Sequence, residues 1–108
     1  MGNGQMVKWS NVRGRMMARR RFEARIEGRV QGVGFRFFAR ETANDFGITG
    51  YVRNLPDGSL EVVAECEEDV LREFLEALRD GPRSARVTDI QVSWGAPTGM
   101  YDRFLVKP

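Results

Sequence analysis

The stretch Gly28-Arg29-Val30-Gln31-Gly32-Val33-Gly34-Phe35-Arg36 decides how this chain folds. It lies where alternating apolar and charged residues give way to apolar residues at helical spacing. Its glycines allow the backbone to turn tightly and to direct N–H groups inward, because no Cβ blocks them. A helix that begins here adds free N–H groups and the positive end of its dipole. Together with the planar donors of Arg36, the stretch predicts a cradle for an anion the size of one phosphoryl group.

Regular patterns on both sides of this stretch predict the other elements. Residues 22–26 alternate between apolar and charged, which is typical of a strand. Apolar spacing predicts a helix from Phe35 to Phe46 that Gly47 ends. Further strands are predicted at residues 48–54, 60–65, 87–94 and 104–106, with a turn at 55–58 and a second helix from Glu67 to the Gly81-Pro82 pair. The order is βαββαβ plus a short final strand. This order predicts an α+β, ferredoxin-like split βαβ fold, with an antiparallel sheet and two helices on one face.

Composition limits the chemistry that the protein can perform. The chain has 108 residues, no histidine and one cysteine, Cys66. The commonest general base and the histidine-dependent triads are therefore excluded, and a zinc site is disfavoured. A single cysteine cannot form an intrachain disulfide, and we interpret Cys66 as a structural thiol. Catalysis would have to use carboxylates, amides, arginines and backbone dipoles, so we expect no metal and no other cofactor.

Charge is distributed unevenly along the chain. Six of the 17 basic side chains lie in residues 1–21, which hold no acidic residue, so residues 22–108 carry eleven basic and fifteen acidic side chains, a net charge of −4. We expect a basic, disordered extension at residues 1–21 and one domain at residues 22–108. The acidic balance of that domain argues against a nucleic-acid partner. Without a visible signal peptide or membrane span, we expect a cytoplasmic protein, which we also expect to be monomeric.

Two stretches resemble the signatures of the acylphosphatase family. Residues 26–36, Ile-Glu-Gly-Arg-Val-Gln-Gly-Val-Gly-Phe-Arg, resemble the first signature. Gly50-Tyr51-Val52-Arg53-Asn54, followed by Gly58, resembles the second. The resemblance covers residues 22–106. It departs from the family at Leu60, where valine is usual, and at Cys66, where glycine is usual.

The resemblance implies hydrolysis of the carboxyl-phosphate anhydride bond of small acyl phosphates to a carboxylate and inorganic phosphate. Backbone N–H groups and Arg36 would bind the phosphoryl group, or phosphate or sulfate in its place, and Asn54 would hold the attacking water. The leaving carboxylate needs no general acid, because its conjugate acid has a pKa of about 4. In this family the water proton passes to the phosphate itself. The implied phosphate-binding residues are Arg29, Val30, Gln31, Gly32, Val33, Gly34 and Arg36, and the implied catalytic residues are Arg36 and Asn54.

Simpler interpretations of single residues remain open. The glycines alone could form an ordinary tight turn, and Asn54 alone could start the turn that follows it. Arg36 could be an exposed arginine, although a cation at a helix N-terminus opposes the dipole. Phe35, Phe37 and Phe38 are predicted to support the core or the loop and not to contact a substrate.

Alternative functions come from other classes of protein. RNA-recognition motifs share this topology and stack bases on sheet aromatics, but residues 60–65 of the third strand include no aromatic residue. A module that handles carbamoyl phosphate, or that has no activity, is the second alternative, because acylphosphatase-like domains also begin larger hydrogenase-maturation proteins. The chain has no zinc-finger cysteines, which favours a stand-alone enzyme. A nucleotide P-loop is excluded, because Phe35-Arg36 follows Gly34 in place of Lys-Ser/Thr.

Overall fold

The computed structural model describes residues 18–108 of the chain. The elements in chain order are β1 (Arg19–Arg29), α1 (Phe35–Phe46), β2 (Thr49–Asn54), β3 (Leu60–Glu67), α2 (Glu68–Asp80), β4 (Arg86–Gly95) and β5 (Phe104–Val106). This order confirms the predicted ferredoxin-like α+β fold with its short final strand. Neither helix within residues 18–108 is long and apolar enough to cross a membrane.

The five strands form one sheet in the order β4-β1-β3-β2-β5. β1 pairs antiparallel with both β3 and β4, and β2 pairs antiparallel with β3. β5 pairs parallel with β2, so the predicted antiparallel arrangement holds for the first four strands and is wrong for the last. The reason is topological: β4 and β5 lie at opposite edges, and the chain reverses its direction while it crosses the sheet between them.

The hydrophobic core lies between the sheet and the two helices. The buried side chains of β1 alternate with exposed ones, as the sequence predicts for a strand with one covered face. α2 buries one apolar stripe, and its acidic first turn and basic last turn both suit the helix dipole. The largest fully buried core side chains are Phe22, Phe35, Phe74, Ile26, Ile48, Leu60, Leu71 and Leu78.

β1 begins at Arg19, three residues before the predicted start at Phe22. The first residues of β1 are arginines, and they pair with neighbouring strands because acidic side chains balance their charge. Arg20 Nη1 is 2.9 Å from Glu68 Oε1, and Arg21 Nη1 is 2.8 Å from Glu65 Oε2. The expected disorder of residues 1–21 is therefore wrong for residues 19–21. Residues 1–17 of that extension lie outside the described part of the chain.

A linker, residues 96–103, connects the two edge strands across the face of the sheet opposite the helices. Glu65 of β3 alternates with core residues of the same strand and therefore points to that opposite face. Its carboxylate is fully buried and accepts hydrogen bonds from the backbone N–H groups of Thr98 (3.0 Å) and Gly99 (2.9 Å) and from the Thr98 hydroxyl (2.7 Å). The linker thus covers part of the sheet surface on which an RNA-recognition motif would stack bases. It also leads the chain to the edge of the sheet where β5 lies beside β2.

Candidate active site

The loop between β1 and α1 presents its backbone to an open cavity. Gly32 has a φ of 73° and Gly34 a φ of 79°, values that non-glycine residues rarely adopt. Gly34 is also the N-cap residue of α1, and no side chain within residues 18–108 caps the first N–H groups of this helix. The first turn holds no acidic residue. A loop and helix end of this kind can offer backbone donors and the positive end of a dipole to an anion.

Arg36 lies in the first turn of α1 and lines the same cavity. Its Nη1 donates to the carbonyl oxygen of Lys107 at 3.4 Å, directly after β5. The end of the last strand therefore lies behind this guanidinium, whose other donors can face the cavity. A planar fork beside a helix N-terminus is suited to two oxygens of one phosphoryl group.

Asn54 is the last residue of β2 and lines the cavity across from the loop. Its Oδ1 is buried and has no hydrogen-bond partner among the described residues. A buried acceptor without a donor costs free energy, so this atom is suited to a donor that comes from outside the chain. A water molecule that donates to Oδ1 would lie in the same cavity as the loop and Arg36.

The structure brings most of the predicted site residues together, in a cavity of about 280 Å³. Its lining residues are Val30, Gly32, Gly34, Phe35, Arg36, Phe37, Arg40, Asn54 and Val106. Three predicted residues are absent from this lining. Arg29 is exposed at the end of β1, and Val33 packs against the core.

The third of these residues, Gln31, turns its side chain away from the cavity. Its Nε2 donates to the carbonyl oxygens of Leu55 at 2.8 Å and Ser59 at 2.9 Å. These two carbonyls belong to the turn that follows Asn54. The Gln31 side chain therefore connects the loop at residues 29–34 to the turn that follows Asn54. The sequence did not predict this connection.

Four lining residues are outside the predicted site, namely Phe35, Phe37, Arg40 and Val106. Phe35 and Val106 also belong to the core or pack against it, whereas Phe37 and Arg40 do not. Phe37 was predicted to support the core or the loop, but 60% of it is exposed, so that prediction is wrong. Arg40 has no role in the sequence interpretation. The spacing of four residues between Arg36 and Arg40 places both on one face of the helix, and this is the signal that could have brought Arg40 to the cavity. The position of Phe37, one residue after Arg36, gives no such signal.

The described residues contain no cluster of three or more cysteine or acidic side chains that could hold a metal ion. Cys66 is 4% exposed, and its thiol donates to Glu67 Oε1 at 3.2 Å. Burial, together with the bond to Glu67, raises the pKa of Cys66 to about 11. This thiol is therefore suited to packing and not to nucleophilic chemistry.

Fold and cavity together define a class of protein: a small α+β domain with an open cavity at the loop between its first strand and first helix. A family model described as Acylphosphatase matches residues 22–106. An acylphosphatase from Thermus thermophilus is 50% identical over 80 residues, which cover 74% of this chain and 91% of that protein. The crystal structure of the Bacillus subtilis acylphosphatase has a TM-score of 0.80 at 36% identity and covers 82% of this chain and 99% of that one. The chain belongs to the acylphosphatase family.

A domain of a larger protein is also similar to this chain. The structure of full-length HypF, in a phosphate- and nucleotide-bound form, matches with a TM-score of 0.74 at 27% identity. The match covers 89% of this chain and 13% of that chain. Family and fold support acylphosphatase activity, a hydrolytic activity on small acyl phosphates.

Proposed function

We propose that this chain hydrolyses small acyl phosphates with the phosphoryl group bound by the loop at residues 29–34 and by Arg36. The cavity observations support this assignment of roles. Backbone N–H groups at Gly32, Gly34 and the start of α1 surround a space that Arg36 also reaches. These donors are fixed before the reaction begins, so they stabilise the charge that spreads over the phosphoryl oxygens in the transition state.

Asn54 carries the proposal, through its buried and unpartnered Oδ1. A water that donates one hydrogen bond to Oδ1 is positioned to attack phosphorus in line. The new bond joins the water oxygen to phosphorus, and the bond from phosphorus to the acyl oxygen breaks. The carboxylate leaves with the electron pair, and the water proton passes to a phosphoryl oxygen. Because the leaving group is the base of an acid with a pKa of about 4, it departs without protonation.

The roles of Arg36 and Asn54 are separable by experiment. We expect Arg36→Ala to lose both turnover of benzoyl phosphate and inhibition by inorganic phosphate. We expect Asn54→Ala to keep phosphate inhibition and to lower kcat by about 100-fold or more, because it removes only the water-positioning group. The assay is benzoyl phosphate hydrolysis in EDTA, with the inhibition constant for phosphate measured in parallel.

Asn44→Ala provides a matched control, since Asn44 is an exposed asparagine of α1 outside the cavity. Its rate should stay within about twofold of the parent rate, as for most surface substitutions. A near-normal kcat for Asn54→Ala would remove the water-positioning role. Retained phosphate inhibition in Arg36→Ala would assign phosphoryl binding to the loop alone.

A second candidate function is suggested by the match to HypF. The same cavity would then serve a module that takes carbamoyl phosphate as its only acyl phosphate. Turnover of carbamoyl phosphate without turnover of benzoyl or acetyl phosphate would favour this candidate. We further propose that the protein acts as a cytoplasmic monomer without a cofactor. Gel filtration tests the oligomeric state.

A further inference from the structure

Two arginines of α1 line the candidate active site. Arg36 and Arg40 are four residues apart, so their Cβ atoms lie about 5–6 Å from each other on one face of the helix. No acidic side chain is among the described residues that line this cavity. The proposed hydrolysis uses Arg36 for the phosphoryl group and leaves the charge of Arg40 without a role.

Arg40 is held by weak contacts that leave its charge available. Its Nε lies 3.7 Å from Glu41 Oε2, but the side chains of Arg40 and Glu41 are 38% and 56% exposed. Ion pairs this exposed are worth little, and a better-placed anion can compete with them. The guanidinium also lies over the ring of Phe37, 5.2 Å from its centroid. This cation–π contact keeps the arginine beside an exposed apolar surface at the cavity.

The position of the acyl group follows from the geometry of the reaction. An in-line attack places the leaving oxygen on the side of phosphorus opposite the water. With the water on Asn54 and the phosphoryl group on the loop and Arg36, the acyl group faces the remaining cavity wall. This placement leaves four lining residues, Phe35, Phe37, Arg40 and Val106. Phe35 is buried in the core, so Phe37, Arg40 and Val106 are the ones available to the acyl group.

We propose that Arg40 and Phe37 form an acyl-group subsite that favours acyl phosphates with a second negative charge on the acyl part. This inference rests on the proposed function, because it needs the phosphoryl group in the loop. The guanidinium of Arg40 pairs with the second anionic group, and the ring of Phe37 packs against the carbon skeleton that joins it to the anhydride. The substrate class is therefore an acyl phosphate that also bears a carboxylate or a phosphate.

A matched pair of substrates tests the subsite: benzoyl phosphate and 3-carboxybenzoyl phosphate, which differ by one carboxylate. The measurement is kcat/KM for both substrates with the parent protein, Arg40→Gln and Arg40→Lys. The quantity compared is the kcat/KM for 3-carboxybenzoyl phosphate divided by the kcat/KM for benzoyl phosphate. We expect Arg40→Gln to lower this ratio by about fivefold, and Arg40→Lys to lower it less. Intrinsic differences in reactivity cancel, because each ratio is compared between proteins. High salt should lower this ratio for the parent protein, because salt screens the attraction between Arg40 and the second carboxylate.

Arg79→Gln is the control for a general charge effect, because Arg79 is an exposed arginine of α2 that does not line this cavity. Its ratio should equal that of the parent protein. Equal losses on both substrates in Arg40→Gln, with equally weakened phosphate inhibition, would show that Arg40 binds the phosphoryl group and would overturn the subsite. A ratio that changes alike in Arg40→Gln and Arg79→Gln would also overturn it. Failure of the proposed function looks different, since the folded parent protein would then hydrolyse neither substrate.

Discussion

At the scale of single residues, Glu65 is the clearest case of a buried charge with a defined structural role. Burial alone would raise the pKa of this carboxyl group. The hydrogen bonds from Thr98, Gly99 and Arg21 outweigh burial and lower the pKa to about 2. The carboxylate fastens the linker to the middle strand of the sheet. It thereby fixes the path of the chain to β5, whose end contacts Arg36.

The lowered pKa of Glu65 predicts how stability depends on pH. The pKa of Glu65 in the folded protein lies below the usual value of 4.5. The stability that the ionised carboxylate contributes is therefore fully present above pH 4.5 and is lost as the pH falls toward 2. A pKa shift of this size corresponds to a contribution of at most about 3 kcal/mol to the free energy of unfolding. We expect Glu65→Gln to lower the free energy of unfolding by about 2–3 kcal/mol at pH 7 and by much less at pH 2.5. Urea unfolding of both proteins at pH 7, 5, 3.5 and 2.5 measures the difference.

The exposed carboxylate Glu73 of α2 gives the matched control for this prediction. Glu73→Gln should change the free energy of unfolding by less than about 0.5 kcal/mol at every pH. A difference between the parent protein and Glu65→Gln that stays constant from pH 7 to pH 2.5 would contradict the assigned role. The destabilisation would then come from packing and not from the charge.

At the scale of elements, the side chain of Gln31 connects the loop at residues 29–34 to the turn between β2 and β3. In the proposed reaction, the loop binds the phosphoryl group and the turn that follows Asn54 helps to position the Asn54 side chain. The two hydrogen bonds of Gln31 Nε2, to Leu55 and Ser59, are direct side-chain links between them. Gln31 is therefore a positioning residue for the proposed reaction.

Gln31→Met, which keeps the length of the side chain and removes its donors, tests this coupling. We expect kcat for benzoyl phosphate to fall by about 10- to 100-fold, because small displacements of a positioned water are costly. The inhibition constant for phosphate should change by less than threefold, since the loop retains its glycines and its backbone donors. Equal losses in kcat and in phosphate affinity would indicate instead that the loop itself has collapsed, and a thermal melt would show this.

The sequence predicts the elements of this protein better than it predicts their side-chain contacts. Periodicity located both helices and all five strands, because each element buries one regular face. The two signatures located Arg36 and Asn54 at one cavity. The direction of β5 could not be predicted, because it depends on a linker that a single buried carboxylate holds. The hydrogen bonds of the Gln31 side chain could not be predicted, because their partners are carbonyl oxygens more than twenty residues away that no local pattern encodes. Arg40 has no role in the sequence interpretation, although its spacing of four residues from Arg36 places both on one helix face.

At the scale of the whole molecule, the described residues that line the candidate active site extend from Val30 to Val106. The described part of the chain also contains the contacts that hold the start of β1. The carbonyl oxygen of Ala18 accepts a hydrogen bond from the N–H of Glu68 at 3.0 Å, and Arg20 and Arg21 pair with acidic side chains. The contacts of the folded domain therefore extend at least to Ala18, and do not begin at Phe22.

Two truncations test where the folded domain begins. Deletion of residues 1–16 removes three basic side chains and changes the net charge from +2 to −1. We expect kcat/KM for benzoyl phosphate at 0.15 M salt and the free energy of unfolding to change little, because every described contact is kept. Deletion of residues 1–21 also removes the partner of buried Glu65, and it should destabilise the fold by about 3 kcal/mol or more. Urea unfolding and the hydrolysis assay measure both variants. A large loss of activity after the shorter deletion, with unchanged stability, would show that residues 1–16 reach the site.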